Sequence, residues 1–406
     1  MFKILKSISD RLVENTKIDF FRYFYSDLKK DIKVIWIVGE RWIWKTTALL
    51  QFAKQNKNSF YISADNSIIL SNWLFKIAYE ILQEYWVENL MIDEIHKYPN
   101  WTLELKNIVD SFPDKKIIFS GSSSLDIVKW TASLERRVKI LKVFPFDFQE
   151  FLKFHYDIEV EKYFFEEIIK NYKKISFDLS SKIKKEYINK YLKTWFYPYS
   201  KDFEEVDFFE KIFNTWEKII LEDLPSFINS QSSTLIKIKK LFYFIANTLP
   251  WDLNYNNLAK KIWIHQDTLE NIIFILSKIW VINLVSKSPE VNNLIRKEFK
   301  IYLWNPNLYY AYNKDVNIWI IREAFVIHFL KRLINNYNEL KTDIFLPRSW
   351  DINLKYNDKE YIFEIWWKTK TRKQVKNIKN SFIISDNIIV WEDNKIPMWL
   401  FWLLEI

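Results

Sequence analysis

Glycine is almost missing. The chain holds 2 glycines in 406 residues, where ordinary usage is about 7%. A protein of this length needs glycine at helix C-caps, in tight turns and in loops that approach a ligand, because those backbones take positive φ. Cysteine is absent altogether, which excludes disulfides and thiolate metal sites and fits a reducing compartment, so a cytoplasmic protein is expected. The four histidines show no zinc spacing. No uncharged apolar run is long enough to span a membrane, and Met1-Phe2-Lys3-Ile4-Leu5-Lys6 lacks the sustained apolar core of a signal peptide. Neither an internal repeat nor a low-complexity linker is visible.

What stands in place of glycine is tryptophan, 20 residues of it. Trp263 and Trp280 each close a helical pattern, where a C′ glycine belongs. Trp350 precedes a strand, Trp366-Trp367 lies between a strand and a lysine run, and Trp130, Trp195, Trp251, Trp304 and Trp391 sit at turn-like junctions. Some bacterial lineages decode UGA as glycine, whereas a common translation table writes tryptophan. Most of these positions are therefore expected to be glycine in the cell. Abundant Ile, Lys, Asn, Phe and Tyr, the residues of AT-rich codons, agree with that. The alternative is an aromatic-rich protein. Trp101 and Trp399 read as true tryptophans. The net charge of +9 permits contact with nucleic acid or anionic lipid, but it is spread out, and AT-rich codons inflate lysine by themselves.

The substitution matters most at Gly39-Glu40-Arg41-Trp42-Ile43-Trp44-Lys45-Thr46. This is a phosphate-binding loop, G-x-x-x-x-G-K-[ST], with Trp44 in place of its second glycine. A strand over Lys33–Val38 precedes it and a helix over Thr46–Lys54 follows, which is the context the motif requires. With glycine at 42 and 44, residues 39 to 47, Thr47 included, would cradle the phosphates of ATP through backbone N–H groups. Lys45 would reach the β- and γ-phosphates, and Thr46 would hold Mg²⁺. With tryptophan at 44 there is no room for phosphates and the nucleotide site is dead. A short apolar strand, Asn89–Ile92, ends in Asp93-Glu94. Asp93 would bind Mg²⁺, directly or through water, and Glu94 would polarise the attacking water. Ser120 ends a further strand, where it would sense the γ-phosphate or position water. Arg136 or Arg137 would act as an arginine finger on a neighbouring subunit, or would form a solvated basic turn.

Strands and helices alternate up to Phe119, which predicts a parallel α/β sheet of the P-loop NTPase kind. The expected division is a P-loop domain over 1–146, a helical lid or connector over 147–230, a winged-helix domain over 231–290 and a small α+β domain over 291–406. In the third, Leu258 to Leu269 reads as a helix-turn-helix whose second helix carries Leu269, Ile272, Ile273 and Leu276 on one face. His265, Gln266, Asp267 and Asn271 would face DNA if that module bound it; packing alone is the other use of such a module.

The chain resembles the AAA-superfamily ATPases of bacteria and archaea that carry a C-terminal domain of unknown function. The likeness rests on Gly39 to Thr47, on Met91-Ile92-Asp93-Glu94-Ile95-His96-Lys97-Tyr98-Pro99-Asn100-Trp101, on Phe119 to Leu125 and on Leu134-Glu135-Arg136-Arg137. It continues through Tyr302 to Leu308, Ile318 to Phe325 and Phe363 to Lys368. The departures are mostly tryptophan for glycine. The resemblance implies ATP binding and hydrolysis, and an endonuclease-like fold at the C-terminus, without supplying a substrate. There Asp351 opens one strand and Glu364 lies on the next, as in Mg²⁺-dependent nucleases. A nuclease lysine belongs two residues after the glutamate; Trp366 stands there and the nearest is Lys368, so an inactive relic is expected. The leading expectation is an ATPase coupled to its C-terminal domains, as a homo-oligomer or with a protein partner and without a membrane role. A nucleic-acid-binding module with an inactive ATP site and a metal-dependent nuclease are the alternatives.

Overall fold

The computed structural model describes residues 1–405 except 122–136, 195–196, 227–231, 249, 251–254, 288–298, 314, 337–342, 348–349 and 366–377. The chain divides into two compact units, Met1–Pro145 and Phe146–Ile406.

In the first unit the main elements are α1 (Phe2–Asn15), β1 (Val34–Gly39), α2 (Lys45–Gln55), β2 (Ser59–Ser63), α3 (Leu74–Tyr79), β3 (Asn89–Asp93), α4 (Trp101–Ser111), β4 (Lys116–Gly121) and β5 (Lys139–Val143). The five strands form one parallel sheet in the order β2-β3-β4-β1-β5. Every residue of β1 is buried, as expected of a strand covered on both faces. The strands expected before the phosphate loop, before Asp93 and up to Ser120 are β1, β3 and β4; β5, unexpected, pairs with β1 from Ile35↔Lys139 to Gly39↔Val143. Parallel strands end at a common edge, so the loops after β1, β3 and β4 meet there. That edge, where strand order switches, is the usual ligand site of an open α/β sheet.

The second unit begins with helices: α5 (Phe148–Tyr156), α6 (Phe165–Leu179), α7 (Lys185–Thr194) and α8 (Glu205–Lys218). Then come α9 (Ser232–Asn247), α10 (Tyr255–Ile262), α11 (Gln266–Lys278), β6 (Ile282–Ser286), β7 (Phe299–Leu303), α12 (Asn307–Tyr312) and α13 (Ile318–Asn336). The chain closes with β8 (Asp343–Phe345), β9 (Ile352–Tyr356), β10 (Lys359–Ile365), β11 (Ser381–Ser385) and β12 (Lys395–Pro397). Seven strands make one mixed sheet, β12-β11-β10-β9-β8-β6-β7. The β6–β7 pair, which follows three helices, is thus continuous with the C-terminal strands, across the line drawn at 290. β9 and β10 form a hairpin that turns at Asn357-Asp358, with φ of 49° and 59° at the two turn residues, the geometry of a two-residue hairpin turn. Leu269, Ile272, Ile273 and Leu276 of α11 are all buried, and Phe148, Tyr191, Phe325 and Trp402 cluster in the core.

Two groups stand out among the described tryptophans. Trp42, Trp44, Trp86, Trp263 and Trp280 have φ between 55° and 68°, a region that L side chains enter at roughly 1–2 kcal/mol per residue. Trp263 closes α10 in a Schellman motif: its N–H bonds to Lys260 O at 3.4 Å, and that of Ile264 to Ala259 O at 3.0 Å. At Trp280 the Val281 N–H likewise reaches back to Leu276 O at 3.0 Å. Trp42, Trp86 and Trp263 expose 57%, 76% and 82% of their surface, so little packing offsets the strain. By contrast Trp36, Trp216, Trp399 and Trp402 are fully buried. Five left-handed tryptophans would cost on the order of 5–10 kcal/mol, as much as the net stability of a whole domain. Glycine takes the same backbone without that cost.

Candidate active site

The loop from Gly39 to Thr46 joins β1 to α2. Gly39 is packed so closely that a Cβ would lie 2.3 Å from Val143 O and 2.7 Å from Ile43 Cδ1. The backbone then turns through the left-handed residues Trp42 (φ 68°) and Trp44 (φ 67°, ψ 33°), the latter immediately before α2. These turns are what let a loop of this spacing curl around a phosphate with its N–H groups inward. The Trp44 indole stands edge-on to Phe20, ring centroids 6.0 Å apart.

Lys45 is buried, and its Nζ donates to Gly39 O at 2.9 Å and Glu40 O at 2.5 Å. Burial pushes its ammonium below the usual lysine value, against the opposing pull of Glu94, Asp93 and Glu40. On the next residue, Thr46 Oγ1 donates to Asp93 Oδ2 at 2.6 Å. The structure therefore brings the first turn of α2 onto the end of β3, residues 47 apart in sequence. Asp93 is itself buried and accepts further hydroxyl bonds, from Tyr61 to Oδ2 at 2.9 Å and from Ser120 to Oδ1. The side chains bonded to it all present hard oxygens. This set suits a hard divalent cation such as Mg²⁺, which takes one carboxylate and one hydroxyl from the protein and fills its other positions with water and ligand oxygens. Among the described residues there is no group of three or more His, Cys, Asp and Glu able to hold a metal alone.

Glu94 follows with φ 51°, its N–H donating to Asp93 Oδ1 at 3.1 Å and to Ser120 Oγ at 3.2 Å. Burial raises its carboxyl above the usual value, Asp93 adds to this, and Lys45, Arg41 and Lys97 oppose it. Three of the groups singled out in the sequence, Thr46, Asp93 and Ser120, thus share one hydrogen-bonded cluster with the Glu94 backbone, and Lys45 lies beside it. Arg137 is elsewhere engaged, paired with Asp110; Arg136 and residues 122 to 124 lie outside the described residues. Sequence reasoning missed Tyr61, His96 and Arg22. Arg22 is buried and donates to Ile43 O at 2.5 Å and to Phe144 O at 2.7 Å. A lone arginine upstream of a strand carries no signal for such a contact; a tyrosine inside the run Ser59–Ser63 signals only core.

Residues 31–152 match the family model of an AAA domain. That span contains β1 to β5 and every residue of the cluster. Residues 182–316 match a domain of unknown function (DUF8612). A curated relative, the uncharacterized protein MJ1637 of Methanocaldococcus jannaschii, is 29% identical over 317 residues, covering 74% of this chain and 63% of its own length. The chain therefore spans less than two thirds of that relative. Two solved structures overlap it at low scores: AMPPCP-bound DnaA from Aquifex aeolicus (15% identity, 68% of this chain and 88% of that one, TM-score 0.26) and the Hsp104–ADP complex of S. cerevisiae (15%, 66% and 41%, TM-score 0.32). The α/β assignment stands on the strand order and on the AAA-domain match. No helix among the described residues is long and apolar enough to cross a membrane.

In the second unit, His265, Gln266, Asp267 and Asn271 are all exposed near the start of α11. Asp351 Oδ2 accepts the Ile365 N–H at 2.8 Å, and Glu364 is buried on β10 beside it. Trp366, Trp367 and Lys368 lie outside the described residues.

Proposed function

We propose that residues 31–152 bind ATP with Mg²⁺ and hydrolyse it, and that the working protein carries glycine at 42 and 44. The observation that supports this best is the loop itself. Its backbone already has the left-handed turns of a phosphate cradle at the two positions where tryptophan is written, with Lys45, Thr46 and Asp93 in place around it. Lys45 would exchange its two carbonyl partners for β- and γ-phosphate oxygens. Thr46 and Asp93 would hold Mg²⁺, which neutralises charge on the phosphates as the bond breaks. Glu94, next to Asp93 and made more basic by burial, would orient the attacking water and take up its proton. Nucleotide state would act on the second unit. A homo-oligomer in which Arg137 or Arg136 completes a neighbour's site is part of this reading. Its test is the mass of the peptide from Trp42 to Lys45 in protein from the native host, together with ATP binding. Glycine at 44 with Mg²⁺-dependent turnover is expected. Tryptophan there, with no ATP binding, would overturn the proposal.

A second reading, that the protein binds DNA, draws on the succession α9, α10, α11, β6 and β7, which has the order of a winged helix, and on the exposed polar start of α11. A salt-dependent DNA affinity lost on replacing Gln266 and Asn271 is its test.

A further inference from the structure

We propose that His96 is the positioning residue for Glu94, fixing the carboxylate that aligns the attacking water. This rests on the hydrolytic reading above and adds a residue to it.

Glu94 sits at a strand end with a backbone held on both sides. Its left-handed φ of 51° and the two bonds from its N–H set the direction in which the side chain leaves. Beyond Cβ nothing in the backbone restrains the carboxylate. A glutamate has three rotatable bonds, and ordering such a side chain costs conformational entropy. The chain then makes a single 3₁₀ turn, Ile95–Lys97, opening on Glu94. This turn folds His96 back, so that its Nε2 lies 3.4 Å from Glu94 Oε2. The ring is well enclosed, with a side-chain exposure of 10% against 26% for Glu94. The imidazole therefore acts as a wall with one polar edge, and that edge faces the carboxylate.

The charge state suits the role. Burial, together with the cations Lys97, Lys45 and Arg41 around it, holds His96 neutral, with its pKa pushed down to about 3. At this separation of 3.4 Å, the tautomer of a neutral imidazole that carries its proton on Nε2 is the one able to donate to the carboxylate. It orients the oxygen without adding a positive charge, which would make the carboxylate a weaker base. A lysine or arginine in its place would hold Glu94 equally well and reduce its basicity.

The test uses the full chain with Trp42→Gly and Trp44→Gly, and MgATP as the probe. His96→Leu keeps the volume and removes the donor. It should lower kcat about 10- to 100-fold, the scale of a misplaced catalytic group, with KM unchanged. His96→Gln, which can still donate, should restore most of the loss. On a Glu94→Gln background, His96→Leu should cost nothing further, because the two residues act as one unit. If His96→Leu does not fold, His96→Asn, whose amide is too short to reach, carries the same expectation. Parental kcat in His96→Leu, a change confined to KM, or an equal loss on the Glu94→Gln background would each overturn the proposal. The underlying reading fails separately: a parent that does not bind MgATP, or turnover that survives Lys45→Ala, removes the ATPase itself.

Discussion

The split between left-handed and buried tryptophans makes an energetic prediction with a sign. At Trp263, replacement by glycine and by alanine both remove an indole that is 82% exposed, so the loss of packing is common to the two. They differ in Cβ. At φ 60° alanine keeps the left-handed cost of roughly 1–2 kcal/mol, while glycine removes it and gives back about 0.4–1 kcal/mol through the freer unfolded chain. Trp263→Gly should therefore be more stable than Trp263→Ala by about 0.8 kcal/mol, the difference between the central values of those two terms. Trp216 is the control. It lies within α8 and is 1% exposed, so the sign reverses: glycine should be worse than alanine by about 1 kcal/mol, on top of a core loss of about 3–5 kcal/mol shared by both. Urea unfolding measures this directly. With a slope of about 2–3 kcal/mol/M, 1 kcal/mol moves the midpoint by about 0.3–0.5 M. Equal midpoints for Trp263→Gly and Trp263→Ala, or the alanine variant the more stable, would refute the claim that this backbone belongs to glycine.

Lys45→Ala should abolish ATP binding, whereas Glu94→Gln should keep binding and slow hydrolysis at least about 100-fold; equal turnover in both and in the parent, measured by phosphate release, would remove the assignment. Gly39→Ala would push a methyl to 2.3 Å from the Val143 carbonyl, in a strand that cannot yield, so a loss of about 1–3 kcal/mol should appear in thermal melting; an unchanged Tm would show that β5 is not pressed against the loop. His328 is fully buried, with Nδ1 3.0 Å from Trp304 O, and burial first, then Arg332, depresses its pKa well below the usual value. The unfolded chain takes up that proton below about pH 6.5 while the folded chain does not, so stability falls as the pH drops below that point, by about 1.4 kcal/mol per unit. A urea midpoint that stays level from pH 7.5 to 5.5 would contradict this.

The local parts of the site were legible. The spacing from Gly39 to Thr46 and the apolar strand ending in Asp93-Glu94 are short-range signals, since a strand end and a helix start are written in neighbouring residues. The helix ends at Trp263 and Trp280 were legible for the same reason, once tryptophan was read as occupying a glycine's position. What escaped depends on long-range pairing. β5 has only five residues, Lys139–Val143, of alternating character, and nothing local says that it pairs with β1. The joining of β6 and β7 to the C-terminal strands runs through β8, of three residues, and a division of the chain at 290 follows naturally when that link is unseen. Tyr61 and Arg22 act through atoms far away in sequence, Asp93 in one case and Ile43 with Phe144 in the other. His96 is the intermediate case: two residues from Glu94, it was in view, but only the 3₁₀ turn shows that it faces back.

Arg22 holds the carbonyl of Ile43, inside the phosphate loop, and that of Phe144 with a single guanidinium. Tyr23, its neighbour, accepts the Phe144 N–H at 3.1 Å. Phe144 is the last residue before Pro145, where the first unit ends. One planar side chain thus ties the phosphate loop to the point at which the polypeptide leaves the unit.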